Sequence, residues 1–185
     1  MSDDGSAQVS TRRIYTGKVL NLDMDRVRFP NGKEGELEMI RHSGASAVVP
    51  FLTDLSGEDP QVLLLKQYRY AAEQYLYEIP AGRLDPGEAP EDCARRELRE
   101  ETGCECRTLE RLTTMYSTPG FTDERIHLFV ATGLTHGESE LEADEFAEPV
   151  AMTLSEALRK VEQGEISDGK TIVGLLFVAG FRAGA

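Results

Sequence analysis

The sequence predicts an α/β domain in which a mixed β-sheet lies between helices, with a β-hairpin region ahead of it. Three observations carry that prediction. Short apolar, β-branched or aromatic runs are interleaved with segments of helical periodicity. The runs Ser46–Leu52 and Gln61–Tyr68 are continuous enough to be strands buried on both faces. Near the N-terminus Val19, Leu20, Leu22, Met24, Val27 and Phe29 roughly alternate with polar residues, up to a Pro30-Asn31-Gly32 turn.

The remaining elements follow in order. Glu36–Ile40 is the second arm of the hairpin. Tyr75–Ile79 is a shorter strand, ended by Pro80-Ala81-Gly82. Glu91–Thr102 has a helical pattern, with Pro90 near its start and Gly103 at its end. Leu109–Tyr116, Arg125–Ala131 and Val150–Leu154 are strand-like, and the acidic stretch Gly137–Glu148 separates the last two. A second helix covers Ser155–Gln163, with serine as its N-cap and Gly164 as its stop. Asp168–Phe181 is a final, largely buried helix. Neither repeats nor low-complexity linkers interrupt the pattern. The expected division is a disordered tail at 1–12, N-terminal strands at 13–44 that form a dimerisation element, and the main domain at 45–185.

A chain of 185 residues is long enough for one substantial core. Its 20 basic and 33 acidic residues give a formal charge of −13, which excludes the basic footprint of a nucleic-acid-coating protein. A polyanionic ligand would therefore need local arginines or cations. Cys93, Cys104 and Cys106 cannot all pair and lack zinc-type spacing, so reduced thiols are expected. The N-terminal MSDDGSAQVST has neither the basic start nor the apolar core of a signal peptide. The longest apolar run, Thr171–Phe181, is too short to span a bilayer. The expectation is a cytoplasmic protein without membrane or nucleic-acid partners.

The helix at Glu91–Thr102 carries the chemistry. On a wheel of about 100° per residue with Glu97 at zero, Glu101 falls at about 40°, Cys93 at about 320° and Cys104 at about 340°. Ala94 and Leu98 share this side, while Asp92, Arg95 and Arg99 lie opposite. A solvated acidic face would place its carboxylates away from the small apolar residues, so Glu97 and Glu101 are misplaced for solvent. Two carboxylates at i and i+4 also repel each other. Gathered at a buried edge, they need a countercharge, and a hard divalent cation supplies one. Oxygen-only ligands favour Mg²⁺, with Mn²⁺ as a substitute. Gly82 and Gly87 flank a loop able to bring backbone groups close to a phosphate or metal. Glu88 and Arg96 are read as a salt bridge fixing that loop on the helix, and Arg96 can also pair with Glu100.

Gly82, Glu88, Arg96-Glu97-Leu98, Glu100-Glu101, Gly103 and Cys104 stand at the spacing of the Nudix box. The segment resembles that box over 23 residues, departing only at Cys104, where the family has an aliphatic residue. Cysteine is a small hydrophobe and packs there. The resemblance implies the Nudix α/β/α sandwich and hydrolysis of a nucleoside diphosphate linked to another group. It also implies Glu97 and Glu101 as principal metal ligands, Glu100 as a supporting one, and the Ala81 carbonyl as a further one.

The segments LLLKQYRY, YEIPAG and GEISDGKTIVGLL are similar to the ADP-ribose pyrophosphatase subfamily, as is Thr118-Pro119-Gly120 followed by Glu124. That similarity implies Arg69 as a substrate contact, although a strand-edge salt bridge competes for it. It also implies a sugar-side wall at Thr118, Pro119 and Gly120, a ribose hydrogen bond at Glu124, and lesser substrate roles for Arg83 and Arg41. In the acidic stretch, Glu145 and then Glu142 are the candidates for general base, with Glu145 also a metal ligand. His127 alternates with apolar neighbours and reads as structural. Tyr68, Tyr70, Tyr75 and Tyr77 read as core or dimer-interface residues.

The expected activity is Mg²⁺-dependent hydrolysis of ADP-ribose, with other ADP-sugars as further candidates, to AMP and ribose 5-phosphate by a homodimer. The rivals are a pyrophosphatase for another nucleoside diphosphate sugar such as GDP-mannose, and a non-catalytic nucleotide sensor. The complete set Glu97, Glu100 and Glu101 speaks against the sensor.

Overall fold

The computed structural model describes residues 7–137 and 147–182. They fall into two compact units, Met1–Gly44 with Tyr116–Arg125, and Ala45–Met115 with Ile126–Ala185.

In the first unit the strands β1 (Ala7–Thr16), β2 (Asn21–Arg28) and β3 (Glu34–Arg41) form an antiparallel sheet in that order. The predicted hairpin is β2–β3. Its turn is closed by the Phe29 N–H to the Lys33 carbonyl at 2.8 Å and by the Asn31 side chain accepting the Lys33 N–H. β1 is an added strand that begins at Ala7, inside the stretch read as a disordered tail. All of its residues are exposed, so no buried face left a two-residue period to read. Ladder hydrogen bonds to β2 hold it instead. The register places Arg13 opposite Asp23 and Thr11 opposite Asp25.

The second unit contains β4 (Ala45–Pro50), β5 (Gln61–Arg69), β6 (Gln74–Glu78), β7 (Ala81–Arg83), α1 (Pro90–Thr102), β8 (Cys104–Tyr116), β9 (Arg125–His136), β10 (Ala147–Thr153), α2 (Leu154–Glu162) and α3 (Gly169–Phe181). Tyr116 and Arg125, at the ends of β8 and β9, belong to the first unit. One sheet runs β7-β4-β9-β8 and is mixed, since β4 is parallel to β9 and antiparallel to β7. A second, antiparallel sheet runs β10-β5-β6. The α/β class and the mixed sheet are as expected, and a second, antiparallel sheet accompanies it. Where the chain turns back between β4 and β5, the isolated Phe51–Val62 bridge links the two strands' ends.

Alternation along β4 sets the layers. Ala47 and Val49 face a core shared with Val62 and Leu64 of β5, Leu128 and Val130 of β9, and Leu175 and Val178 of α3. Val48 faces the other way, into a core with Ala94 and Leu98 of α1 and Phe129 of β9. Helices therefore cover both sides of the mixed sheet. Each fully buried Val, Leu or Phe in these layers contributes roughly 1.5–3 kcal/mol by leaving water. Among the described residues no helix is long and apolar enough to cross a membrane.

The helix ends follow local chemistry. Pro90 occupies the first turn of α1, and Gly103, at φ 70°, closes it with its N–H on the Arg99 carbonyl. α2 starts one residue before the predicted serine. Thr153 is its cap, accepting the Glu156 N–H, while the Ser155 hydroxyl donates to Asp59 at 2.7 Å. Asp168 caps α3 by accepting the Thr171 N–H.

Candidate active site

α1 presents its carboxylates as the wheel requires. Glu97 and Glu101 are 8% and 3% exposed, beside the fully buried Cys93, Ala94 and Leu98. Asp92, Arg95 and Arg99 face solvent. The two glutamates are thus held at the helix's core-facing edge, where an ionised carboxylate needs compensation.

Arg96 supplies much of it. Its guanidinium donates to both Glu88 oxygens at 2.8 and 2.9 Å, to Glu97 at 2.5 Å, to Glu100 at 3.1 Å, and to the Arg83 carbonyl at 3.1 Å. The predicted Glu88–Arg96 brace is present as a two-point clamp. It lowers the Glu88 carboxyl to about 2, chiefly through the Arg96 hydrogen bond, while burial opposes the shift. The same bond raises Arg96, so it stays charged. The contact with Glu97 was not read from the sequence. Adjacent helical residues do not face each other, but a long arginine side chain curls back across the helix surface.

The strand end on the other side of the carboxylates completes the site. The Ala81 N–H donates to Glu101 at 2.9 Å. Gly82 lies so close under Glu97 that an added Cβ would stand 1.8 Å from its Oε1. The Cys93 thiol lies 3.5 Å from the carbonyls of Gly82 and Arg83, and burial pushes it up to about 11, so it remains a proton donor. All three cysteines are free, as expected, and Cys104 packs fully buried at its place in the box.

The anionic groups against Ala81–Gly82 are the carboxylates of Glu97 and Glu101, and the space Gly82 leaves is filled by that of Glu97. Both features fit a hard divalent cation. Among the described residues, however, no three Asp, Glu, His or Cys side chains converge as a finished cation cage. The expected ligands Glu97, Glu100 and Glu101 lie on successive turns at the C-terminal half of α1. Arg96 holds the first two, with Arg99 Nη2 a further 3.7 Å from Glu100, while Glu101 faces the Ala81 amide.

Arg69 sits at the end of β5 and is bound side-on by Glu78, Nε to Oε1 at 2.6 Å and Nη2 to Oε2 at 2.8 Å. This is the strand-edge salt bridge weighed against a substrate role. It uses two of the guanidinium's nitrogens and leaves Nη1 without a partner among the described residues. Lys170 makes a further short ion pair to Glu78. Burial opposes ionisation of Glu78, yet Arg69 and Lys170 together hold its carboxyl below the usual range. Glu78 and Lys170 were missed in the sequence. They stand 92 residues apart, and only a buried carboxylate in a hydrophobic strand hinted at a partner. Arg83 ends β7 with an exposed side chain.

Arg41, Thr118, Pro119, Gly120 and Glu124 belong to the first unit. Arg41 is engaged by Asp23 at 3.3 Å, by Asp123 at 3.4 Å and, more closely, by Asp25. Thr118, Pro119 and Gly120 form an exposed turn, and Glu124 lies 3.3 Å from the His42 ring. Glu142 and Glu145 lie outside the described residues. His127 Nδ1 lies 3.0 Å from the Thr114 hydroxyl of the neighbouring strand β8. Tyr68, Tyr70 and Tyr75 are exposed and so are not core residues, whereas Tyr77 packs against the core.

The NUDIX domain model matches residues 42–172. The ADP-ribose pyrophosphatase of Bacillus subtilis (strain 168) is 40% identical over 172 residues, covering 92% of this chain and 90% of that one. The methanol dehydrogenase activator of Bacillus methanolicus is equally similar, at 40% identity with the same coverages. Among solved structures, an ADP compounds hydrolase superposes with a TM-score of 0.78 at 23% identity, over 94% of this chain and 92% of that one, a likeness of fold. By the domain match and by these identities, the chain belongs to the NUDIX family.

Proposed function

We propose that the protein hydrolyses ADP-ribose to AMP and ribose 5-phosphate with Mg²⁺. The observation that carries this reading is the burial of Glu97 and Glu101 against the Ala81–Gly82 backbone. The similarity to an ADP-ribose pyrophosphatase supports the substrate. Glu97 and Glu101 hold the metal, aided by Glu100 and the Ala81 carbonyl, with Mn²⁺ able to substitute. When bound, the cation neutralises the diphosphate and stabilises the charge that develops on phosphorus. Arg69, oriented by Glu78, directs Nη1 to a phosphate oxygen. Arg83 and Arg41 add positive charge, Thr118, Pro119 and Gly120 shape the sugar-side wall, and Glu124 bonds a ribose hydroxyl. Glu145, or failing it Glu142, takes the proton of the attacking water as the phosphorus–oxygen bond of the diphosphate breaks. Arg96 keeps the carboxylates ionised for this work.

The active form is a homodimer in the cytoplasm, paired through the strands at 13–44. Exposed Ile14, Tyr15, Val19 and Leu37 support that pairing.

The test is AMP release from ADP-ribose with Mg²⁺, beside other ADP-sugars and GDP-mannose, together with equilibrium binding of ADP-ribose. Preferred cleavage of ADP-ribose is the expected result. Faster cleavage of GDP-mannose would move the substrate. Binding without cleavage of any compound would make the protein a sensor.

A further inference from the structure

The segment that reaches Glu101 is anchored at its far side by the start of α3. Ile79, two residues before Ala81, donates its N–H to the Thr171 hydroxyl oxygen at 2.9 Å. Thr171 is fully buried and donates its own hydroxyl proton to Asp168 Oδ2 at 2.6 Å. The same Asp168 oxygen accepts the Thr171 N–H at 3.0 Å and lies 3.1 Å from Lys170 Nζ. Lys170 in turn holds Glu78, the residue before Ile79. On the near side, the Pro80 carbonyl accepts the Val48 N–H at 2.9 Å and the Ala81 N–H meets Glu101. Glu78 to Ala81 is therefore held at consecutive residues between α3 and α1.

We infer that Thr171, seated by Asp168, is a positioning residue for the metal site: its hydroxyl fixes the Ile79 amide and so sets the Pro80–Ala81–Gly82 backbone against Glu97 and Glu101. Asp168 does more than cap a helix here. One oxygen orders the Thr171 backbone and directs its hydroxyl, so the lone pair that remains faces Ile79. A threonine buried only for packing would accept valine in its place, because the two side chains have nearly the same shape. A threonine that positions the strand end would not. Neither Thr171 nor Asp168 touches substrate or metal in this scheme.

This inference rests on the metal site proposed above, and its test separates the two. Thr171→Val and Thr171→Ser are compared with the unaltered protein in three measurements: Mn²⁺ binding by electron paramagnetic resonance, hydrogen exchange of the Ile79 and Ala81 amides, and steady-state cleavage of ADP-ribose. Thr171→Val is expected to weaken Mn²⁺ binding by about tenfold, as losses behind a metal ligand do. It should also speed exchange at both amides and lower kcat, while KM for ADP-ribose changes by less than about threefold. Thr171→Ser should restore all three. Should the valine variant fail to fold, Asp168→Ala keeps the Thr171 hydroxyl but removes its seat, and should move the same readouts in the same direction. Wild-type Mn²⁺ affinity and amide exchange in Thr171→Val, or in Asp168→Ala, would overturn the inference, as would a protein that binds no Mn²⁺. A protein that binds Mn²⁺ but cleaves no nucleotide would sink the proposed activity alone, and the metal and exchange readouts would still decide the role of Thr171.

Discussion

The Glu97 carboxylate occupies the space that a side chain at Gly82 would need: a Cβ there would fall 1.8 Å from Oε1, 2.1 Å from Cδ and 2.6 Å from Oε2. The obstacle is the far end of a flexible side chain, so the clash is relieved by moving Glu97 and not by unfolding the strand. Gly82→Ala is accordingly expected to fold, with stability changed by less than about 1 kcal/mol. Its metal affinity should fall by roughly 10- to 100-fold, since a ligand has been turned out of place. Thermal melts alongside Mn²⁺ titration check both halves. A melt lowered in step with the metal affinity would point to general damage instead.

Arg96 joins Glu88, Glu97 and Glu100 through one guanidinium. Arg96→Met keeps much of the stem but removes the cation that the three carboxylates share. Because the side chain is 25% exposed, the loss should be about 1–3 kcal/mol, below that of a fully buried pair. Arg96→Lys should recover only part of it, since an ammonium cannot reproduce the fork on Glu88. Urea unfolding of the three proteins measures the difference.

Acid should loosen the loop before the helix through Glu88. Its folded carboxyl is lowered from 4.5 to about 2, so its stabilising contribution is complete above about 4.5 and is lost as the pH falls through about 2. The Asp85 N–H, which donates to Glu88 at 3.0 Å, reports the change. A carboxyl NMR titration of Glu88 should show a midpoint near 2, and protection of the Asp85 amide should decline across the same window. A midpoint near 4.5 would contradict the clamp.

Glu78 is buried between Arg69 and Lys170. Glu78→Gln would leave two cations against a neutral amide and is expected to destabilise the fold by roughly 3 kcal/mol. Double-mutant cycles with Lys170→Met should show strong coupling between the two sites.

The helix that carries the glutamates was legible because its signal is local. A 3.6-residue period places Glu97 and Glu101 beside Ala94 and Leu98 without knowledge of any other element, and their burial agrees. The Glu88–Arg96 clamp was legible for a similar reason, since its partners are eight positions apart in sequence. Long-range features were not. Glu78 and Lys170 meet across 92 residues, and nothing in either neighbourhood names the other. β7 has three residues, too few for any period to show. β1 was hidden by its exposure, since a strand without a buried face carries no alternation. The division of the strands into two sheets depends on pairing partners, which side-chain patterns do not encode.

The most direct measurement compares the unaltered protein with Glu101→Gln for AMP release from ADP-ribose in Mg²⁺. Glutamine keeps the volume of the buried side chain, and its amide oxygen can still accept the Ala81 N–H, so the thermal melt should be preserved. If Glu101 holds the metal, turnover should fall by about 100-fold or more, because a neutral amide replaces an anionic ligand. Near-normal turnover by Glu101→Gln would contradict the assignment of the α1 glutamates as the metal site.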